Sequence, residues 1–362
     1  MGNRGSKSAI SRRKLCIAVK EQRVNGSWCD FNLSHLRCTL LGFERSYLIK
    51  IPSNQIIQKQ FYSTVCNLDS GFISGFTDAE GCFLIIIRKA PKNLLGWQLE
   101  VSFTINLHVR DLDLLNLIKT YFEVGRISKE RNGCCDFTIS SLDQIITKVI
   151  PHFDKYPLKT QKYSDYLLFK EVVFIMQRKE HLTAEGLQKI VNIRASLNKG
   201  LSYLLLEAFP NTVALARPLL PPLSAKLDPE WVAGFTSGDG CFKVSIREYK
   251  SHKTVSRVAL LFVVTQHIRG NLLLKSLVDF FGCGQTYSYK DYIEFRCQSF
   301  KDNYEKIIPF FNKYPIIGVK SKDFEDWAKI AKMIERKVHL TNQGFDQIRL
   351  IRKGMNKGRY KE

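Results

Sequence analysis

Apolar residues along this chain recur with two periods, and the switches between them mark its elements. From residue 68 to 79 they follow a helical arc, with Asp69 placed to cap the first turn. Alternation then takes over. Phe83, Ile85 and Ile87 face one way and Cys82, Leu84, Ile86 and Arg88 the other, which predicts a half-buried strand. A second strand carries Leu99, Val101, Phe103 and Ile105 inward and Gln98, Glu100, Ser102 and Thr104 outward. A helix is expected over 111–122, and Asn132-Gly133 predicts the tight turn of a hairpin between a third and a fourth strand. Further helices complete the unit.

The whole order then repeats. GFISGFTDAEGCF at 71–83 returns as EWVAGFTSGDGCF at 230–242, an offset of 159 residues. Leu107-His108-Val109-Arg110 matches Gln266-His267-Ile268-Arg269 at the same offset. After a one-residue slip, Lys155-Tyr156-Pro157 pairs with Lys313-Tyr314-Pro315, His181-Leu182-Thr183 with His339-Leu340-Thr341, and Asn198-Lys199-Gly200 with Asn356-Lys357-Gly358. Such spacing implies two homologous subdomains. We assign them to 67–208 and 227–362, joined by a linker over 209–226 that Pro210, Pro218, Pro221 and Pro222 keep out of regular structure. One face of each sheet must be buried on helices, leaving the other polar and free. Two such sheets side by side would form a saddle wide enough for a DNA major groove, with Arg88, Gln98, Lys243, Ser245, Arg247 and Arg296 pointing into it.

The repeated helix carries the candidate chemistry. Gly71, Ser74, Gly75 and Asp78 share one face, as do Glu230, Ala233, Gly234 and Ser237, and such mostly small stripes let two helices approach closely. Phe72, Ile73 and Phe76, with Trp231, Val232 and Phe235, lie opposite and are expected to anchor each helix in its own half. Close packing would bring Glu80 and Asp239 together at two helix C-termini. The helix dipole and mutual repulsion both disfavour charge there. Divalent cations resolve that conflict, and hard oxygen ligands point to Mg²⁺ rather than zinc. The alternative, a pair of solvated turn residues, fits one motif better than two at matching positions. Lys162 and Lys320 each follow the Pro of a Tyr-Pro pair by five residues and could stabilise charge on a phosphate, unless they are ordinary surface lysines. Gln266 stands where the first half has Leu107, and a role in orienting water is its candidate function.

Composition narrows the partner. The sequence holds 55 basic and 34 acidic residues in 362, a net charge of +21, which favours a polyanion such as nucleic acid. No apolar run reaches the roughly 20 residues of a membrane span. Ten cysteines show no zinc spacing, so we expect free thiols in a reducing compartment. Residues 1–66 carry eleven basic and three acidic residues, and the first twenty hold no acid. They read as a poorly ordered basic extension, either a transit peptide or a phosphate-touching arm.

These motifs resemble the LAGLIDADG homing endonucleases, in particular the single-chain, two-motif group encoded in fungal organellar introns. Ile73 to Gly81 and Val232 to Gly240 align with the nine-residue signature, and the GCF, KYP, HLT and NKG segments extend the likeness over about 67–358. Ser237 departs from the usual acid. The resemblance implies an α+β fold of two pseudo-twofold αββαββα subdomains and a monomer that cuts both strands of a long, asymmetric DNA site in the mitochondrial matrix. Glu80 and Asp239 would hold Mg²⁺, or Mn²⁺ in its place, next to the backbone of Ala79 and Gly238. Lys162, Lys320 and Gln266 would assist, with water as the nucleophile. Contacts to DNA would come from Arg88, Gln98, Glu100, Ser102, Thr104, Arg126, Ser128 and Thr138 in one half. Lys243, Ser245, Arg247, Arg257, Gln285, Tyr287 and Arg296 would serve in the other. The rival expectation is an RNA maturase that binds its own intron on the same fold, and a third is a DNA-binding regulator on a retired nuclease scaffold.

Overall fold

The structure, a computed structural model, describes residues 68–220, 226–248 and 256–360. The expectations for residues 1–66, and for the part of the linker at 221–225, lie outside the described residues. Each half opens on a motif helix, α1 (Ser70–Glu80) and α8 (Pro229–Asp239). Helix α1 begins two residues later than the apolar pattern suggested, because the Asp69 side chain accepts from Gly71 N at 2.7 Å and closes the first turn there. Asp228 does the same for α8, accepting from Glu230 N.

In the first half β1 (Gly81–Lys89) and β2 (Trp97–His108) lead through a 3₁₀ turn to α2 (Leu112–Phe122), β3 (Arg126–Ile127) and β4 (Cys134–Ile139). Short α3 (Leu142–Gln144) and α4 (Ile150–Lys155) flank a π turn, and α5 (Lys162–Gln177), α6 (Ala184–Ala195) and α7 (Tyr203–Ala208) follow. The second half repeats the scheme: β5 (Gly240–Glu248), β6 (Ser256–His267), α9 (Asn271–Phe281), β7 (Gln285–Ser288), β8 (Tyr292–Cys297), α10 (Phe300–Asp302), α11 (Ile308–Lys313), α12 (Lys320–Glu335) and α13 (Asn342–Lys353). The two antiparallel sheets run β1-β2-β4-β3 and β5-β6-β8-β7. The α+β class and the duplicated order of the sequence analysis both hold. Asn132 and Gly133, at φ 52 and 74, form the two-residue turn before β4, with Arg131 and Cys134 exchanging backbone hydrogen bonds across it.

Each half has its own core. Phe83, Phe103, Phe153, Tyr166 and Phe169 interlock in the first, and Phe242, Phe262, Phe311, Phe324 and Trp327 in the second. The inward and outward faces of β1 and β2 follow the expected parity, with one correction: Ser102, opposite Leu84, is only 7% exposed and offers almost no surface to a ligand. The matching Asn198 and Asn356 adopt φ of 50 and 52, and their Nδ2 atoms donate to Phe83 O and Phe242 O, tying the end of each half to its first strand. Among the described residues no helix is long and apolar enough to cross a membrane, and all six cysteines are free.

Candidate active site and nucleic-acid interface

The two motif helices touch backbone to backbone. A Cβ at Gly75 would lie 2.0 Å from Trp231 O, one at Gly234 2.1 Å from Phe72 O, and one at Gly238 2.3 Å from Ala79 Cβ. No larger residue fits at these crossings, which is the physical use of the small-residue stripe. The helices also trade core contacts: buried Ala79 packs with the second core and Ala233 with the first.

Two contacts add to the seam that the sequence predicts. Trp231 packs in the second core, as expected, and its Nε1 also donates to Asp78 Oδ2 at 2.9 Å across the interface. Asp78 is the exception in the mostly small stripe. It is a buried acid that also accepts from Lys159 N at 2.7 Å, Thr160 N at 3.1 Å and Thr160 Oγ1 at 2.5 Å. Burial raises its carboxyl above the ordinary range despite those donors. In the matching place Ser237 Oγ accepts from Ile317 N at 3.2 Å and donates to Ala233 O.

Glu80 and Asp239 end α1 and α8, side by side at the same end of the seam. A Cβ at Gly238 would sit 3.3 Å from Glu80 Cγ. Burial first, then the charge of Glu80, pushes the Asp239 carboxyl up to about 7, against the pull of Lys320, Lys162 and a hydrogen bond from Gln266. That bond runs from Gln266 Nε2 to Asp239 Oδ2 at 2.5 Å, so Gln266 holds the carboxylate itself, where a water-orienting role had been expected. Its counterpart Leu107 is buried and apolar.

Lys162 and Lys320 are not surface residues. Lys162 is 3% exposed and its Nζ donates to Thr77 O at 2.8 Å. Lys320 Nζ donates to Thr236 O at 3.3 Å and to Gly238 O. Thr77 and Thr236 also accept from the capping N–H groups of Gly81 and Gly240, so each lysine sits on the C-terminal carbonyls of a motif helix, where the dipole favours a cation. Burial lowers both ammonium groups from their ordinary value, opposed chiefly by Asp78 at Lys162 and by Asp239 at Lys320. Two carboxylates, main-chain oxygens and two ammonium groups therefore share one end of the seam. Among the described residues no three His, Cys, Asp or Glu side chains form a metal-holding group. An oxygen-only, incomplete donor set of this kind fits a hard cation that completes its shell with water and phosphate.

The free sheet faces flank this point. Across the first, Cys82, Thr104, Thr138 and Arg126 lie in register as a row; across the second, Cys241, Val263, Arg296 and Gln285. Arg126, Ser128, Lys243, Arg247, Arg257 and Gln285 are exposed, and Gln98 and Arg88 extend the first face. Ser245 and Tyr287 are half-buried, as is Thr104, whose hydroxyl meets that of Thr138. The faces are less purely basic than the sequence suggested. Arg88 pairs with Glu100 at 3.4 Å, and Arg296 pairs with Glu294 while lying 4.7 Å over the Tyr287 ring. Asp136 and Glu294 were missed, although both sit on the outward parity of β4 and β8, where alternation would have found them.

Comparison with known proteins agrees with this architecture. The sequence profile of the LAGLIDADG endonuclease family matches residues 73–173 and 232–331. The chain is 39% identical to "Probable intron-encoded endonuclease 3" of Neurospora crassa, over 97% of this chain and 69% of that protein. It is 37% identical to "Probable intron-encoded endonuclease 2" of the same fungus, over 93% and 78%. Among solved structures, the I-SmaMI LAGLIDADG homing endonuclease bound to cleaved DNA superposes with a TM-score of 0.78 at 43% identity, covering 81% of this chain and 98% of that one. I-LtrWI, a LAGLIDADG homing endonuclease bound to target DNA, gives 0.77 at 38% identity, covering 80% and 98%. With both motif helices, both sheets and both sequence blocks accounted for, this chain belongs to the LAGLIDADG endonuclease family.

Proposed function

We propose that the chain is a homing endonuclease that acts as a monomer on double-stranded DNA, hydrolysing one phosphodiester in each strand of a long, asymmetric site and so promoting mobility of its intron. The observation that carries this reading is the pairing of Glu80 and Asp239 at the C-termini of two touching helices, each end buttressed by its own lysine, Lys162 buried and Lys320 half-buried. Glu80 and Asp239 are the proposed ligands of Mg²⁺, with Mn²⁺ as a substitute. When bound, the ion would supply charge neutralisation at the scissile phosphates and an acidified water. The backbone at Ala79 and Gly238 fixes where the two carboxylates stand. Gln266 restricts the rotamer of Asp239, and the ammonium groups of Lys162 and Lys320 bring positive charge to the developing phosphorane. The side chains of the two free sheet faces, Arg126, Lys243, Arg247, Arg257 and Gln285 among them, would position the duplex and read it. The faces differ, with Glu100 in the first where the second has Ala259, which suits a target without twofold symmetry. A mitochondrial matrix location is supported by the intron-encoded origin of its fungal relatives.

The test is cleavage of a randomised duplex library by the purified chain. With Mg²⁺ we expect a selected site cut in both strands, and no product with chelator. Glu80→Gln and Asp239→Asn should each abolish double-strand breaks while binding in Ca²⁺ persists. Unchanged cutting by either variant would overturn the assignment.

A further inference from the structure

Lys162 and Lys320 each stand at the first residue of a helix, so where that helix begins decides where the ammonium points. Each helix start also takes a contact from the opposite half. For Lys162 the chain of contacts starts in the second half: Trp231 Nε1 donates to Asp78 Oδ2 at 2.9 Å. Asp78 gathers Lys159 N, Thr160 N and Thr160 Oγ1, and the Thr160 hydroxyl oxygen in turn accepts from Lys162 N at 3.2 Å. For Lys320 the support comes from the first half: Asp111 Oδ1 accepts from Val319 N, the residue just before the lysine, at 2.7 Å. Gly318 approaches the same oxygen so closely that a Cβ there would lie 2.7 Å from it. Neither cross-half contact has a twin, although Ser237 Oγ holds Ile317 N much as Asp78 holds Lys159 N. Trp231 corresponds to Phe72, which has no donor; Asp78 corresponds to Ser237, and Asp111 to Gly270.

We propose that Trp231 and Asp111 are positioning residues that act crosswise, each orienting the lysine of the half it does not belong to. This inference rests on the reading of Lys162 and Lys320 as catalytic side chains. Beside the hydrogen bonds that each ammonium makes within its own half, to Thr77 O or to Thr236 O, each lysine thus has one contact from the far side of the seam that fixes the start of its helix. This arrangement separates the two strands: damage to one tether should slow one nick and leave the other intact. An ordinary interface contact would behave differently, since loosening the seam disturbs both carboxylates and both lysines.

The experiment uses the full chain and a duplex that it selects from a randomised library, labelled at both 5′ ends so that each nick is followed separately. Lys162→Met and Lys320→Met first identify the strand that depends on each lysine. Should those two variants fail to slow different strands, the catalytic reading of the lysines is wrong, independently of the tethers. Trp231→Phe keeps an aromatic side chain and removes the donor, along with part of the buried indole. It is expected to slow the Lys162 strand by about tenfold and to leave the Lys320 strand within about twofold. Asp111→Ala should do the reverse, and Asp111→Asn, which keeps the acceptor oxygen, should restore the rate. Thr160→Val removes the hydroxyl link between Asp78 and Lys162 N while leaving the Trp231 contact in place, and should reproduce Trp231→Phe even if the latter lowers stability. Equal slowing of both strands by Trp231→Phe or Asp111→Ala, or no slowing by Thr160→Val, would overturn the crosswise assignment.

Discussion

At the scale of single residues, the informative positions are those where the two halves disagree. His152 is buried between Ser74 Oγ, 3.1 Å away, and Tyr121 Oη at 2.8 Å, whereas the second half has Phe310 in its place. Burial depresses its imidazole to about 4. An unfolded histidine takes its proton near 6.5, so between these values the unfolded chain holds more protons and stability falls as the pH falls. The loss should reach about 3 kcal/mol by pH 4. Urea unfolding at pH 7 and pH 4.5 measures it, and His152→Phe should flatten the difference. Gln266→Leu copies the first half's residue and removes the donor to Asp239. We expect the nick beside Asp239 to slow by about tenfold with DNA binding unchanged, read by strand-resolved kinetics. Glu80 and Asp239 were legible in the sequence because the repeat singled them out. The Trp231–Asp78 contact was legible only as a coincidence: Trp for Phe72 and Asp for Ser237, two departures from symmetry with no sequence signal that they meet.

At the scale of elements, caps and turns did what their residue types require. Asp69, Asp228, Thr183 and Thr341 cap their helices, and the HLT segments that looked like unexplained repeats turn out to supply the last two. The NKG segments likewise serve to dock an asparagine on β1 or β5. The motif helices are the sensitive elements. Gly234→Ala would drive a methyl into Phe72 O, where only backbone movement makes room, and should cost about 3 kcal/mol or more. Gly282→Ala, at φ 59 with nothing within 4 Å, should cost only about 1 kcal/mol. Chemical unfolding of the two variants separates a steric crossing from a conformational preference. The expectation that would fail is equal destabilisation.

At the scale of the whole molecule, charge and duplication combine. A net charge of +21 and two free sheet faces predict strongly salt-dependent binding to duplex DNA. Titration between about 50 and 200 mM KCl should give a linear plot of log affinity against log salt. Lys243→Ala, an exposed residue without a carboxylate partner among its described contacts, should lower the slope by about one if it meets a phosphate. Arg88→Ala should change it less, because Glu100 already offsets that charge.

The sequence by itself determined the fold class, the duplication, the two acids and the basic character, because each is written in local period, repeated spacing or composition. Only the tertiary structure decided which groups meet across the seam. Burial of Lys162, the grip of Gln266 on Asp239, the pairing of Arg296 with Glu294 and the crosswise tethers all join residues far apart in the chain or hidden by packing. Their energies depend on distance and on exclusion of water, and neither quantity exists until the two halves are pressed together.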